Sequence, residues 1–509
     1  MKNQQRISIE DIYVFCKKKG FVFPTSEIYG GIAGFYDYGP LGVEVVNNIK
    51  SIWWKEHVHK RDDIVGIEGS IITNPRVWVA SNHVQKFSDL LVKCTKCKQA
   101  FRADQLIEEK IGIKTDSLSP KEIQKIIDEK RITCPKCNSK LSSIENFNLM
   151  FKTFVGVLES QEAIAYLRPE TAQVIFSDFK LVQETSRKKL PFGIAQLGKA
   201  FRNEISPRNF LFRCREFEQA EIEYFIKEKD INNCPYFKEF ENYKVLILSS
   251  EAQKSNKKEE LISLGEAFKK GMVSSKWTAY WLGFEHRFLT NLGLSPESLR
   301  LRQHLPEERA HYALDTWDIE YKFLFGWKEI EGIANRTTYD LKAHMKESGK
   351  DLTYYDDDSK EKIIPYVVAE PSLGIGRLFL ALLFEAYKYN AERENIVLDL
   401  KPKIAPYKAA IFPLLSNNEQ LVEISDKIYN ELKSDLNVFY DKSGSIGRRY
   451  ARQDEIGTPY CITVDFESLK NNDVTIRDRK TTKQKRIRRE ELNLHLKKLI
   501  DEEISFDEL

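Results

Sequence analysis

In the segment RCREFEQAE, Arg213, Phe217 and Glu221 follow one another at intervals of four residues. On a strand, whose side chains alternate between faces, all three project from one side. That side offers a cation, a flat apolar ring and a carboxylate in a row, the groups needed to hold a phosphate, stack an adenine and bind an ammonium. An isolated RxxxFxxxE is more simply a solvated strand face with ion pairs, but the run before it changes the reading. Phe201-Arg202-Asn203-Glu204 ends one strand-like stretch, and SPRNFLF is a polar turn into the next. Two antiparallel strands joined by this basic loop would place Arg202 beside Arg213. Two converging guanidiniums repel unless an anion lies between them, which favours a polyphosphate ligand. Farther on, GIGR lacks the GxxxxGK[ST] pattern, so a P-loop is excluded. A lone G-x-G says little, and its value here comes from position.

Two other groupings could do chemistry. Cys94-x-x-Cys97 and Cys134-x-x-Cys137 supply four thiolates, the ligand set of a closed tetrahedral zinc site with no open position for catalysis. Their separation exceeds the usual ribbon spacing of roughly 15 to 20 residues, so a helical excursion must bring the pairs together, and the alternative is an insertion with unmetallated thiols. Cys16, Cys214, Cys234 and Cys461 read as ordinary buried or partly buried thiols. Between Arg477 and Arg489, eight basic residues stand against a single acid, Asp478. Such a run attracts a phosphate backbone, although a solvated basic face produces the same pattern.

These residues need elements to position them. LGVEVVNNIKSIWWKEHVH places Leu41, Val45, Ile49, Ile52 and Trp53 at helical spacing after Gly39-Pro40, which predicts a helix over Leu41 to His59. GSIITNPRVWVASNH then reads as extended, with Pro75 confining it to an edge, an interface or a bulge. Cys94 to Asn146 changes character abruptly and encloses a helical run, SPKEIQKIIDEK, as an insertion would. PFGIAQLGKAFRNE and FRCREFEQAEIEYF are strand-like, residues 227–300 read mainly as helix, and VVAEPSLGIGRLFLALLFEAY combines a strand, a Gly-containing turn and an apolar helix. After the connector LDLKPKIAPYK, the runs AAIFPLL, NVFYD, YCITVDF and DVTIRD alternate with two helical ones, as in a separate α/β domain.

The whole chain bounds the function class. At 509 residues it exceeds what one core organises, which predicts about two to four domains. With 42% hydrophobic and 30% charged residues, and no run of about 18 apolar ones, membrane residence is not expected. The N-terminus lacks the features of a signal peptide, so the expected location is cytoplasmic and a disulfide framework is not expected. A net charge of +3 is too small to indicate a nucleic-acid partner without regard to where the charge lies.

FRNE, a loop and RxxxF resemble motif 2 of the class II aminoacyl-tRNA synthetases, and EPSLGIGRLFLALL resembles their motif 3. The helix after Gly39-Pro40 and the stretch holding Pro75 resemble motif 1, through which such enzymes dimerise. Within the class, FYDYGPLG, LRPETAQ, REFEQAEIEYF, EIEGIANRTTYDL and AEPSLGIGR resemble the homodimeric glycyl-tRNA synthetases over nearly the whole chain. The resemblance implies an α+β fold: an antiparallel β-sheet catalytic domain flanked by helices (1–93 and 147–400), interrupted by the CxxC insertion (94–146) and a helical insertion (227–300), then a C-terminal α/β anticodon-binding domain with a mixed sheet (404–509). IGRRYARQDEIGTPYCITVDF is similar to the anticodon-binding domain of the glycyl, threonyl, prolyl and histidyl enzymes, a setting in which the basic run binds tRNA.

The implied activity is ATP-dependent formation of glycyl-adenylate and transfer to tRNA(Gly), with Mg2+ and a structural Zn2+. A class II enzyme for another small amino acid, or a silent nucleic-acid-binding paralogue, are the alternatives. By the resemblance, Arg202 and Arg377 are catalytic. Arg202 meets the α-phosphate, Glu204 the adenine amino group, Phe217 the ring, and Arg213 and Arg377 the outer phosphates. Glu329 is an ATP- or metal-contacting acid, and Asn203, Phe212, Cys214, Arg215, Glu216, Ile330, Gly374, Ile375 and Gly376 complete the ATP site. Glycine falls to Arg102, Glu170, Glu221, Glu370 and Ser372, with Phe217, Glu218, Gln219, Ala220, Pro371, Leu373 and Gly374 around them. For Glu370 and Ser372 the residues alone allow a plainer role, an acid and a cap at the start of the following helix.

Overall fold

The computed structural model describes residues 7–113, 115, 118–309 and 313–509. The first helix, α1 (Ile9–Lys19), opens on a capping box between Ser8 and Asp11. Helix α2 (Pro40–Trp54) starts with Pro40 in the first turn, where a missing N–H costs nothing, and buries Leu41, Val45, Ile49 and Trp53, the stripe expected from spacing. It runs on into a single π turn, Lys55–His59, that buries His57. Strand β1 (Ile64–Ile67) follows. The stretch around Pro75, expected to be extended, is instead helix α3 (Pro75–Ala80). Asn74 accepts from the Arg76 N–H at 3.0 Å as its cap and Pro75 holds the first turn. Asn-Pro thus starts a helix, and the strand that accompanies α2 lies upstream of it.

The cysteine-bearing module has a sheet of β2 (Ser88–Lys93), β3 (Ala100–Arg102) and β4 (Glu145–Asn148) in the order β3-β2-β4. It carries helices α4 (Ala103–Ile111) and α5 (Pro120–Glu129), and its strands reach beyond 94–146 at both ends. Its core holds Cys94 and Cys134 with Leu106, Ile107, Ile123 and Ile127.

Helix α6 (Ala172–Ser186) leads to the long hairpin β5 (Phe192–Phe201) and β6 (Glu216–Ile226). Then come β7 (Lys244–Leu248), β8 (Glu260–Ser263), α7 (Lys276–Asn291), β9 (Leu299–Gln303), β10 (Asp315–Phe323), β11 (Gly326–Asn335), α8 (Tyr339–Ser348), β12 (Tyr366–Gly374) and α9 (Ile375–Ala386). Nine strands form one sheet in the order β8-β7-β9-β10-β11-β12-β6-β5-β1, parallel only at β7/β9 and β5/β1 among the described residues. Residues 227–300, read as a helical insertion, do contain helices, but β7 and β8 extend this sheet; short strands between Lys- and Glu-rich turns hid them.

Register lays out the site. Glu221 faces Gln196 on β5 and Ser372 on β12, and Ser372 faces Gly332 on β11, so these four form one cross-strand row. The opposite face of β6 presents Ala220, Ile222 and Tyr224 to the main core, shared with α2, α7 and α9.

The C-terminal domain has β13 (Ala409–Pro413), α10 (Glu419–Leu432), β14 (Val438–Tyr440), α11 (Ile446–Ile456), β15 (Tyr460–Val464), β16 (Asp473–Asp478), β17 (Gln484–Arg488) and α12 (Leu492–Ile500). Its sheet runs β14-β13-β15-β16-β17, parallel around β13 and antiparallel beyond β15, the mixed sheet expected. The basic run does not form a free cationic face. Arg477 is buried in a bidentate pair with Asp454 (2.8 and 2.9 Å), and Arg479 is buried against Asp399 (2.9 Å) and the Leu400 and Gly457 carbonyls, at the junction with the first domain. Arg486 faces Asp465, Asp473 and Glu467, Lys483 pairs with Asp507, and Arg489 with Glu431. Partners distant in sequence consume most of the run. No described helix is long and apolar enough to cross a membrane.

Candidate active site

The loop between β5 and β6 carries the first cluster. Arg213 lies ahead of β6, after a 3-10 turn at Phe210–Phe212, and an isolated bridge between Arg208 and Arg213 closes the loop. Same-face spacing therefore holds for Phe217 and Glu221, whereas Arg213 arrives from the loop. Arg202 is fixed by its Nε donating to the Pro169 carbonyl at 3.0 Å, and its guanidinium lies 5.2 Å from the Phe217 ring centre. Arg377, in the first turn of α9, pairs with Glu329 at 3.0 Å, donates to the Phe212 carbonyl at 3.2 Å and lies over the Phe212 ring at 4.7 Å.

Glu329 works against a desolvating setting, yet Arg377 and then Arg202 hold its carboxyl below the usual range; 44% of the side chain still reaches solvent. Burial, with Arg102, Arg208 and Arg377 nearby, outweighs Glu204 and pushes the Arg213 guanidinium below its ordinary value. The cations acting on Arg213 thus include Arg102, Arg208 and Arg377, and Arg202 acts together with Arg377 on Glu329. Glu204 is buried, 3.8 Å from Arg213 Nε, and its Oε2 has no hydrogen-bond partner among the described residues.

The second cluster is acidic. Glu370 and Ser372 lie within β12, which removes the helix-cap alternative. Gln219 donates to Ser372 Oγ at 3.1 Å, and Thr171 donates its hydroxyl to Glu221. Arg336, 2% exposed, makes a bidentate pair with Asp340 (2.8 Å twice) and donates to Glu370 at 2.6 Å. Gln173 donates to Glu170 at 2.9 Å and to Asp340 at 3.2 Å, and His83 lies 3.4 Å from Glu170.

Five carboxyls (Glu170, Glu221, Glu223, Glu370 and Asp340) thus gather around the Arg336 guanidinium and the His83 imidazole, with Arg168 acting on Glu221 and His344 near Asp340. Burial pushes Glu370 up to about 8, Arg336 opposing and Glu221 and Glu170 adding to it. Burial and the Glu170 charge raise Glu221. Burial and Glu370 carry Glu223, neither of whose oxygens has a hydrogen bond, well above the carboxylate range. Glu170 goes down instead: burial works against its charge, but His83 and Arg336 outweigh it. On the opposite side of the sheet, buried His57 is 3.0 Å from both oxygens of Glu285, and burial with the Glu285 charge lifts Glu331 of β11 well above its ordinary value.

Not every expected residue joins these clusters. Glu218 turns to the other face and pairs with Lys50 of α2 at 3.1 Å, Glu216 pairs with Lys199, and Ala220, Leu373 and Ile375 are core. Ile330 and Cys214 are also core residues, and burial raises the Cys214 thiol to about 12. Arg215 braces the loop through the Glu204 and Ala33 carbonyls, and the Asn203 N–H is spent on the Leu149 carbonyl. Pro371 is buried beside Glu370, and Gly374 and Gly376 flank the start of α9. Arg102, expected at the glycine, belongs to the module, pairing with Asp89 at 2.8 Å and Asp104 at 2.5 Å, and acts on Arg213 of the first cluster. Sequence reasoning missed Arg336, Asp340, Thr171, Gln173, His83 and Glu223. Thr171 and Gln173 sit in LRPETAQ, and Arg336 and Asp340 in EIEGIANRTTYDL, so those motifs held the signal; His83 has none.

The four module cysteines converge: their sulfurs all lie within 4.8 Å of one another, with Cys94–Cys137 at 3.4 Å and Cys97–Cys134 at 3.6 Å. A tetrahedron of thiolates about 2.3 Å from a zinc ion has edges of about 3.8 Å, so the donor set fits that ion. The other four cysteines are buried thiols, as expected.

Comparison with known proteins finds two families. The tRNA synthetase class II core domain (G, H, P, S and T) matches residues 157–387, and the anticodon binding domain matches residues 408–499. The glycine–tRNA ligase of Caldanaerobacter subterraneus is 48% identical over 96% of this chain and 98% of its own length. Those of Clostridium acetobutylicum (45%, over 98% and 100%) and Geobacillus kaustophilus (46%, over 98% and 100%) are similarly alike.

Proposed function

This chain belongs to the glycine–tRNA ligases of the class II synthetase family, and from that premise we propose that Arg202, Arg213 and Arg377 hold the triphosphate of ATP while the acidic row beside Ser372 holds the ammonium of glycine. The activity is ATP-dependent ligation of glycine to tRNA. In its first half a glycine carboxylate oxygen attacks the α-phosphorus, and the bond to the bridging oxygen breaks to release pyrophosphate. In the second half a terminal ribose hydroxyl attacks the activated carbonyl, and AMP leaves. Both steps need positioned charge rather than a nucleophilic side chain.

Arg202 neutralises the α-phosphate as the attack proceeds, and Arg213 and Arg377 take the outer phosphates. Phe217, under the Arg202 guanidinium, stacks the adenine, whose amino group supplies the donor that buried Glu204 Oε2 lacks. Glu329 would hold Mg2+, in a site of a kind that needs only one or two protein carboxylates, and the ion would supply positive charge to the polyphosphate. Cys94, Cys97, Cys134 and Cys137 would hold Zn2+, which would fix the module fold and, with no open coordination position, supply no step of the chemistry.

Rejecting alanine by lost packing alone is worth only about 1 to 3 kcal/mol. Selection for glycine therefore rests on carboxylates crowding the α-carbon so that a methyl clashes. The domain of residues 408–499 receives tRNA(Gly) through cations the fold leaves exposed, such as Lys480 and Arg488. The homodimer forms through α2, where Lys50, Trp54, Lys55 and Lys60 line an open groove. A reducing cytoplasm suits eight cysteines that are all free.

The observation that carries the site reading is the pairing of Glu221 with Ser372 across β6 and β12, with Phe217 one end of that face and Glu370 the other. Pyrophosphate exchange with glycine, alanine, serine, threonine and proline tests it. Glycine alone supports turnover and Arg202→Gln removes at least a hundredfold of it; turnover unchanged in that variant refutes the assignment.

A further inference from the structure

Arg213 is held by no strand, and its nearest acid, Glu204, is 3.8 Å away, beyond hydrogen-bond reach. Its support comes from the cysteine module. The guanidinium donors of Arg213 and Arg102 beside the Gln105 amide assign its orientation: with the oxygen turned to meet them, its carbonyl accepts from Arg213 Nη1 and, at 3.3 Å, from Arg102 Nε. One turn on, Glu109 pairs with Arg208, the residue bridged to Arg213 across the loop. Positions 105 and 109 share a face of α4. The other face carries Ala103, Leu106 and Ile107 into the core that contains Cys94 and Cys134.

We propose that α4 positions Arg213 for the triphosphate, Gln105 directly and Glu109 through Arg208, which makes the cysteine module a working part of the ATP site. The inference rests on the reading of Arg213 as a phosphate-holding residue. A neutral amide is the right chemistry at 105: it fixes the guanidinium without cancelling charge meant for phosphate, whereas a carboxylate would hold Arg213 more firmly and compete with the nucleotide. Glu109 and Arg208 are both open to solvent, so that pair changes any constant by about fivefold at most.

The test is pyrophosphate exchange on the full chain with ATP and glycine varied separately. Gln105→Ala and Gln105→Glu each raise the KM for ATP at least fivefold and leave that for glycine within twofold, and Glu109→Ala raises the ATP value less than fivefold. A purely structural role predicts the reverse for Gln105→Glu, which keeps the hydrogen bond and the fold; that variant carries the test if Gln105→Ala proves unstable. An ATP KM within twofold of the parent in Gln105→Glu, or equal rises for both substrates, overturns the inference. Arg213→Gln separates the two levels: if it leaves ATP binding unchanged, the phosphate reading fails; if it weakens ATP while the Gln105 variants do not, only the positioning role fails.

Discussion

Replacing Glu370 by Gln keeps its size and removes its charge, and the structure fixes how the effect must vary with pH. Glu370 lies at the floor of the acidic row, with Arg336 Nη1 at 2.6 Å and Glu170, Glu221, Glu223 and Asp340 as its other charged neighbours. Burial is the largest influence and pushes it up to about 8. One pH unit below that value only about a tenth of the molecules carry the anion, so kcat/KM for glycine, which reports the free enzyme, climbs about tenfold from pH 7 to its alkaline plateau. A charge-assisted hydrogen bond to the substrate ammonium contributes about 1.5 to 3 kcal/mol, roughly 12- to 150-fold. The parent therefore exceeds Glu370→Gln by that full factor on the plateau and by about tenfold less at pH 7. Pyrophosphate exchange at saturating ATP, from pH 6.5 to 9, with glycine counted as its ammonium form, measures this. A ratio below threefold on the plateau, or one that stays constant with pH, would refute the argument.

Arg336→Lys cannot reproduce the bidentate pair with Asp340 and the bond to Glu370 together, and stranded buried carboxylates should lower stability by about 3 to 5 kcal/mol, visible in denaturant melts. Glu331 has a raised folded-state value, so its contribution is present below the ordinary carboxylate range near 4.3 and is lost as pH rises; the melting midpoint of the parent relative to Glu331→Gln should fall between pH 5 and 8, and a flat difference would exclude a buried proton there. Metal analysis of the purified chain should find one zinc per chain, and stripping it should raise the KM for ATP while leaving that for glycine unchanged. In the basic run, Lys480→Gln with Arg488→Gln should lower the slope of log affinity for tRNA against log salt by about 2, whereas Arg479→Met should cost folding stability instead.

What was legible in the sequence is what local periodicity decides. The apolar stripe of α2, the alternation of β6 and the strand-helix rhythm of the C-terminal domain each follow from a period of 3.6 or 2. Pro75 was misread because its meaning depends on Asn74 being free to cap, which only the turn geometry reveals. Arg336 and Asp340 look like any surface i,i+4 pair, and nothing local shows that both are buried beneath Glu370. The basic run is legible in its charge count but not in its pairing: Asp399, Asp454 and Asp465 answer Arg479, Arg477 and Arg486 from elsewhere in the chain, while Lys480 and Arg488 stay exposed.

The two clusters can serve the one site proposed for them because a strand is a ruler. Phe217 and Glu221 are four residues apart on β6, about 13 Å at the usual rise, so the ring proposed to receive the base and the acid proposed to receive the ammonium are set by backbone rather than by mobile side chains. Gln219, Ala220 and Glu221 pair in regular register with Gly374, Leu373 and Ser372, and the one irregularity between these strands falls later, at Tyr224/Phe225, beyond the site. A side-chain truncation removes one contact and leaves that spacing intact. A one-residue insertion between Phe217 and Glu221 turns the carboxylate to the opposite face, toward α2 and the core. Such an insertion should therefore abolish adenylate formation more completely than Glu221→Ala, and residual exchange equal to that of the point variant would show that the acid is not placed by the strand.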